Sequence, residues 1–112
     1  MTRDVQYLRH MADAAPRNAA YVKVGKEAFL AEPMRQDATI RQLEILGEAA
    51  KRVSQDVRGA HSDGPWRQTA GLRDVLIHQY MGVDLSGVWE VADGQIPTVH
   101  QDILTILDEI DL

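Results

Sequence analysis

The chain has 112 residues, 45% of them apolar and 26% charged, a formal net charge of −5 and no cysteine. That composition predicts one globular domain, residues 1–112, around a single modest core, and it excludes disulfides, a thiolate metal site and a cysteine nucleophile. With no run of about 18 apolar residues and no apolar segment in the opening MTRDVQYLRHMADAAPR, neither a membrane span nor a secretory signal is expected, and a cytoplasmic location is.

The elements read as helices. Val5, Leu8, Met11 or Ala12, Ala15, Ala19 and Val22 recur at three- and four-residue steps, as one helix face would. Pro16 falls inside this pattern; a proline removes one helical hydrogen bond and crowds the preceding turn, which predicts a kink or a restart. KVGKEAFLAEP then supplies a glycine turn and a short helical turn ending near Pro33. In the next segment Ile40, Leu43, Leu46, Ala50, Val53 and Val57 form one stripe, with Arg41, Glu44, Glu48, Lys51 and Arg52 mostly off it. Gly47 lies among small residues in that helix, where glycine is unfavourable, and close approach of a neighbouring helix is the expected reason.

GAHSDGP, residues 59–65, is a loop by composition, and Pro65 suits the first turn of a following helix that carries Trp66, Ala70, Ile77 and Tyr80. GVDLSG interrupts the pattern. Asp84 is placed to cap a short helix with Leu85, Val88, Trp89 and Ala92. DGQIP reads as another turn, before a last helix with Val99, Ile103, Ile106, Leu107 and Ile110 on one face. No strand-like alternation persists, so the expected fold is all-α, an up-and-down bundle of four to five helices.

Charge is unevenly spread. All twelve Lys and Arg residues lie at or before Arg73, giving +3 over residues 1–73 and −8 over residues 74–112. Such asymmetry predicts a mildly basic region and a strongly acidic one, the latter also compatible with a plain solubilising role.

Few residues suggest chemistry. His10, His61, His78 and His100 include no i, i+4 pair and no His-Glu-x-x-His pattern, so no metal site is expected. His10 and His100 read as surface or boundary residues, and His61 as a solvated loop residue. Glu44 and Glu48, with Arg41 and Lys51 nearby, read as a charged helix face. RDVLIHQY, residues 73–80, is different. Helical geometry puts Arg73 and Tyr80 about 20° apart, and His78 about 140° from Arg73. One straight helix does not aim all three at one point; a bend near His78, or a second copy across a two-fold axis, would bring them together. A guanidinium holds phosphate, and an imidazole takes or gives a proton near neutral pH. Together they could cleave RNA through attack of a ribose 2′-hydroxyl on the adjacent phosphate, though on spacing alone a plain surface pair is the leading reading.

RDVLIHQY matches the R-x-x-x-x-H-x-Y motif, and the chain resembles the HepT family, toxin components of prokaryotic toxin–antitoxin modules within the HEPN superfamily. LEILGEAAKRVS (residues 43–54) resembles the family's small-residue helix. PWRQTAGLRDVLIHQYMGVDLSGVWEV (residues 65–91) resembles its central block, and IPTVHQDILTIL its closing helix. The resemblance implies a HEPN-like bundle that forms a homodimer with both motifs in one cleft. It implies metal-independent endoribonuclease activity with Arg73 and His78 as the catalytic pair and no cofactor. It also implies a type VII-like module, in which an MNT-type nucleotidyltransferase antitoxin uses ATP to place AMP on Tyr80 and so blocks RNA. Asp74 fits a supporting role beside Arg73 or His78, or is a plain surface carboxylate. Lys51, Arg52, Arg58 and Arg67 could line the cleft. A different class of function uses the same residues: a non-catalytic helical partner of a nucleotidyltransferase that binds nucleotide phosphate.

Overall fold

The computed structural model describes residues 2–80 and 84–110, with the side chains of residues 2, 73 and 77–80 outside the description. Four long helices, α1 (Thr2–Val22), α3 (Pro33–Arg52), α5 (Trp66–Tyr80) and α7 (Ile96–Ile110), form the bundle. Short helices α2 (Lys26–Ala31), α4 (Gln55–Ala60) and α6 (Leu85–Glu90) lie between them, and a π-helical turn, Val91–Gln95, joins α6 to α7. No strand occurs among the described residues. The all-α bundle expected from periodicity, and HEPN-like by the resemblance, is the fold observed, with the short helices added to its four long ones.

The long helices alternate in direction. Asp4, at the start of α1, meets Ser54 just beyond α3, and the Arg35 guanidinium near the start of α3 donates to the Tyr21 carbonyl at the end of α1. His61, before α5, pairs with Glu109 near the end of α7, so α5 starts where α7 finishes. α1 packs against both α3 and α7, and α3 packs against α5. The spatial order is therefore α7, α1, α3, α5. The core runs through all four: Leu8, Met11, Leu43, Leu46, Leu72 and Ile103 are essentially inaccessible to solvent. Each such side chain contributes about 1.5–3 kcal/mol when buried.

Three expectations are corrected. Of the kink or restart expected at Pro16 the restart is absent, since α1 is one helix through it. Pro16 is exposed, so its ring takes up no space in the core. The stripe read as one helix through Val57 is two helices. Val53 is extended (φ −64°, ψ 135°), and Ser54 caps α4 by accepting from the Val57 N–H at 3.3 Å. Asp4 accepts the Ser54 N–H at 2.8 Å, so that donor is turned away from the helical ladder by a residue 50 positions distant. Finally, DGQIP is not a turn. The Ile96 N–H reaches five residues back to the Val91 carbonyl, and the chain continues into α7 without leaving helical geometry. A π turn just ahead of Pro97 suits a residue that cannot donate its own helical bond.

Other expectations hold. Gly25 makes the turn before α2 with φ +96°, a conformation suited to glycine. The Asp84 side chain accepts the Gly87 N–H at 2.8 Å and caps α6. The GVDLSG interruption includes residues 82 and 83, which lie outside the described residues.

Candidate active site

Arg73, Asp74, His78 and Tyr80 all belong to α5, whose start is firmly built. The Pro65 carbonyl accepts from the Thr69 N–H at 3.0 Å and from the Thr69 hydroxyl at 2.9 Å. The Trp66 indole N–H donates to the His61 carbonyl at 2.8 Å. The side chains of Arg73, His78 and Tyr80 lie outside the description; the helix fixes their positions around its axis.

Leu76 is the reference point. It is half-buried and packs on the core, and it also lines a groove of about 610 Å³ between α1, α3 and α5. Arg73 stands about 60° and Tyr80 about 40° from Leu76, both to the same side of it, so the two positions share one helix face beside the groove. Asp74 and His78 are four residues apart on the opposite face, the spacing at which side chains on a helix are neighbours. Asp74 is exposed. Register thus pairs the Asp74 position with His78 rather than with Arg73.

The groove takes Tyr7 and His10 from α1 and Arg41, Glu44, Glu48, Lys51 and Arg52 from α3, with Ile45, Gly47, Ala49 and Leu76 completing it. Tyr7 and His10 meet edge-on, ring centroids 6.5 Å apart and planes at 73°. The Arg41 guanidinium lies 3.4 Å from Glu44. Tyr7 was not marked by sequence reasoning and His10 was read only as a surface or boundary residue, although their three-residue spacing beside the apolar stripe was the available signal.

Of the cations considered for a cleft, Lys51 and Arg52 line this groove and two others do not. Arg58 is used internally. It donates to the Val53 carbonyl at 3.1 Å and to the Ala50 carbonyl, and lies 5.6 Å from the Trp66 ring centroid. It therefore covers the free carbonyls at the end of α3. Arg67 is exposed and stands half a turn of α5 away from Leu76. His61 is not a solvated loop residue: its side chain is 15% exposed and its Nδ1 is 3.0 Å from a Glu109 carboxylate oxygen. Among the described residues no group of three His, Asp or Glu side chains could hold a metal ion. No described helix is long and apolar enough to cross a membrane.

An all-helical bundle carrying R-x-x-x-x-H-x-Y on its third long helix defines a HEPN-type protein. The family model for ribonuclease HepT-like proteins matches residues 11–106, and the chain belongs to that family. A Methanocaldococcus jannaschii protein named as a gamma-glutamylcyclotransferase and candidate RNase is 39% identical over 113 residues. That match covers 99% of this chain and 51% of the archaeal protein, so the chain spans about half its length. A Caldanaerobacter subterraneus protein named as a candidate RNase is 36% identical over 92% of this chain and 93% of its own. A Thermococcus cleftensis protein named as a candidate ribonuclease HepT is 38% identical over 83% and 86%. No solved structure matches the chain.

Proposed function

We propose that this chain is a single-domain, metal-independent endoribonuclease that acts in the cytoplasm as the toxin of a toxin–antitoxin pair. The observation that carries this reading is the complete Arg73, His78, Tyr80 set on α5, inside the segment that matches the ribonuclease family. His78 takes the proton from a ribose 2′-hydroxyl as that oxygen attacks the adjacent phosphorus. Arg73 offsets the charge that builds on the phosphoryl oxygens. The bond to the 5′-oxygen breaks, that oxygen gains a proton, and the products are a 2′,3′-cyclic phosphate and a 5′-hydroxyl. Asp74, four residues before His78, orients the imidazole. A homodimer brings the two copies of the motif into one cleft, which answers the geometric difficulty that Arg73 and His78 stand on different sides of one helix.

Tyr80 is the regulatory residue of this proposal. A nucleotidyltransferase antitoxin transfers AMP from ATP to its hydroxyl, releasing pyrophosphate. The added phosphate and nucleoside then occupy the face shared by Arg73 and Tyr80 and exclude RNA.

The test is RNA cleavage by purified protein. Wild type is expected to cut RNA but not the same strand carrying a 2′-deoxy sugar at the scissile position, leaving cyclic phosphate ends. Arg73→Ala and His78→Ala are expected to abolish cutting while sedimenting as wild type. Full activity in both variants would sink the catalytic assignment, and absence of cutting by the wild type would favour a non-catalytic nucleotide-binding partner. Intact mass after co-expression with the nucleotidyltransferase tests Tyr80, which should gain one or more AMP units that Tyr80→Phe does not.

A further inference from the structure

The groove between α1, α3 and α5 has an internal order that the motif does not explain. Arg41 lies toward one end of its α3 wall, Lys51 and Arg52 at the other, and Glu44 and Glu48 between them. Ten residues of helix separate Arg41 from Lys51, about 15 Å. Opposite stand Tyr7 and His10, an aromatic ring beside an imidazole. The charged lining is net positive in a chain whose overall charge is −5. The acidic elements α6, the π turn and α7 contribute nothing to it among the described residues, because α1 stands between α7 and α3.

We propose that this groove binds single-stranded RNA on its way to Arg73 and His78, a reading that rests on the ribonuclease function above. Arg41 at one end and Lys51 with Arg52 at the other hold backbone phosphates. Bases in between stack against Tyr7 and His10, as flat rings in single-strand-binding proteins do. Glu44 and Glu48 repel phosphate from the middle of the groove and accept hydrogen bonds from exocyclic amino groups, as carboxylates do from cytosine. Uracil has no amino group, so uridine runs bind less well than cytidine or adenosine runs. A second copy of the chain is the less favourable occupant. Five charged side chains, among them two glutamates and a lysine, would have to be desolvated, and such residues are depleted from the centres of protein interfaces.

Binding is measured in the His78→Ala background, so that RNA stays intact, by fluorescence anisotropy with labelled cytidine, adenosine and uridine oligonucleotides across a salt series. Lys51→Glu and Arg52→Glu are both exposed and leave the core untouched. Each is expected to weaken binding several-fold or more and to flatten the salt dependence by about 0.7 in log–log slope. His10→Ala is expected to weaken binding about fivefold with the slope unchanged. Glu48→Gln is expected to narrow the gap between cytidine and uridine strands. Arg67→Glu, on the far side of α5, serves as the charge-matched control and is expected to change affinity far less. Unchanged affinity and slope in Lys51→Glu and Arg52→Glu would overturn the proposal. So would loss of binding accompanied by dissociation to monomers in sedimentation, which would make the groove a contact between copies. If the groove variants lose RNA while wild type cuts none, the ribonuclease reading fails and the groove assignment stands. If wild type cuts and groove variants bind normally, only the groove assignment fails.

Discussion

Asp4 is 6% exposed, and its two carboxylate oxygens accept the N–H and the hydroxyl of Ser54, each at 2.8 Å. Ser54 in turn caps α4 through the Val57 N–H. Replacing Asp4 with alanine removes both acceptors and leaves the Ser54 N–H facing a void. Hydrogen bonds to a charged group contribute about 1.5–3 kcal/mol each, and a stranded, partly buried donor costs about 1–3 kcal/mol. These contributions overlap, so the expected loss for Asp4→Ala is about 2–3 kcal/mol. In a chain of this size that corresponds to a fall in Tm of roughly 10 °C. The assay is urea unfolding followed by circular dichroism, run with Ser54→Ala and the double variant. Since both single changes break the same contact, the cycle should be non-additive by 1 kcal/mol or more. A loss under about 0.5 kcal/mol for Asp4→Ala, or an additive cycle, would refute the idea that this clasp pins α1 to the α3–α4 junction. The functional consequence follows from position: Tyr7 and His10 stand one and two turns beyond Asp4, so loosening the clasp should also weaken RNA binding at temperatures below unfolding.

Arg58→Ala should lower stability by about 1–3 kcal/mol, from lost bonds to the Val53 and Ala50 carbonyls and the lost contact with Trp66, while RNA turnover per folded molecule stays unchanged. A stable Arg58→Ala protein with no activity would return Arg58 to the cleft. Gly47→Ala should raise stability by about 1 kcal/mol in chemical unfolding, because the new methyl would sit 3.9 Å from Leu72 Cβ, an ordinary contact. Destabilisation would mean that α5 cannot tolerate it. Gly87→Ala should cost about 1–2 kcal/mol by displacing the Asp84 cap, whose Cγ would lie 2.7 Å from the added carbon. A thermal melt equal to wild type would show that the cap is dispensable.

The long helices were legible because burial writes a 3.6-residue period into the sequence. The α3 stripe from Ile40 to Ala50 and the α7 stripe from Val99 to Ile110 match the buried or partly buried faces observed. Breaks within those stripes were not legible where their causes are distant. Val53 and Val57 keep the helical period, yet the chain bends between them because Asp4 takes the Ser54 N–H. Gly94 and Pro97 carry the composition of a turn, but packing of Val91, Ala92 and Ile96 into the core keeps the segment helical. The family was legible from the motif carried on α5. The groove beside it was only half legible: Lys51 and Arg52 were marked, whereas Tyr7 and His10 come from a helix about 40 residues away in sequence, and which cations face inward depends on packing. Arg58 shows the converse, a cation that lies near the cleft in sequence and caps a helix in space.

The π turn at Val91–Gln95 has a consequence for how this chain can change length. A π-helical bond closes one residue more than an α-helical one, so this turn stores a single extra residue between two correctly phased helices. Losing one residue there would restore α-helical bonding while leaving Val88 on one side and Val99 on the other facing the same core. The same loss in the middle of α3 would rotate everything beyond it by about 100° and turn Leu46 and Ala50 out of the core. The join between α6 and α7 is therefore a place where a homologous chain one residue shorter can align with a gap and still fold to the same bundle. The groove, bounded by α1, α3 and α5, would not register the difference.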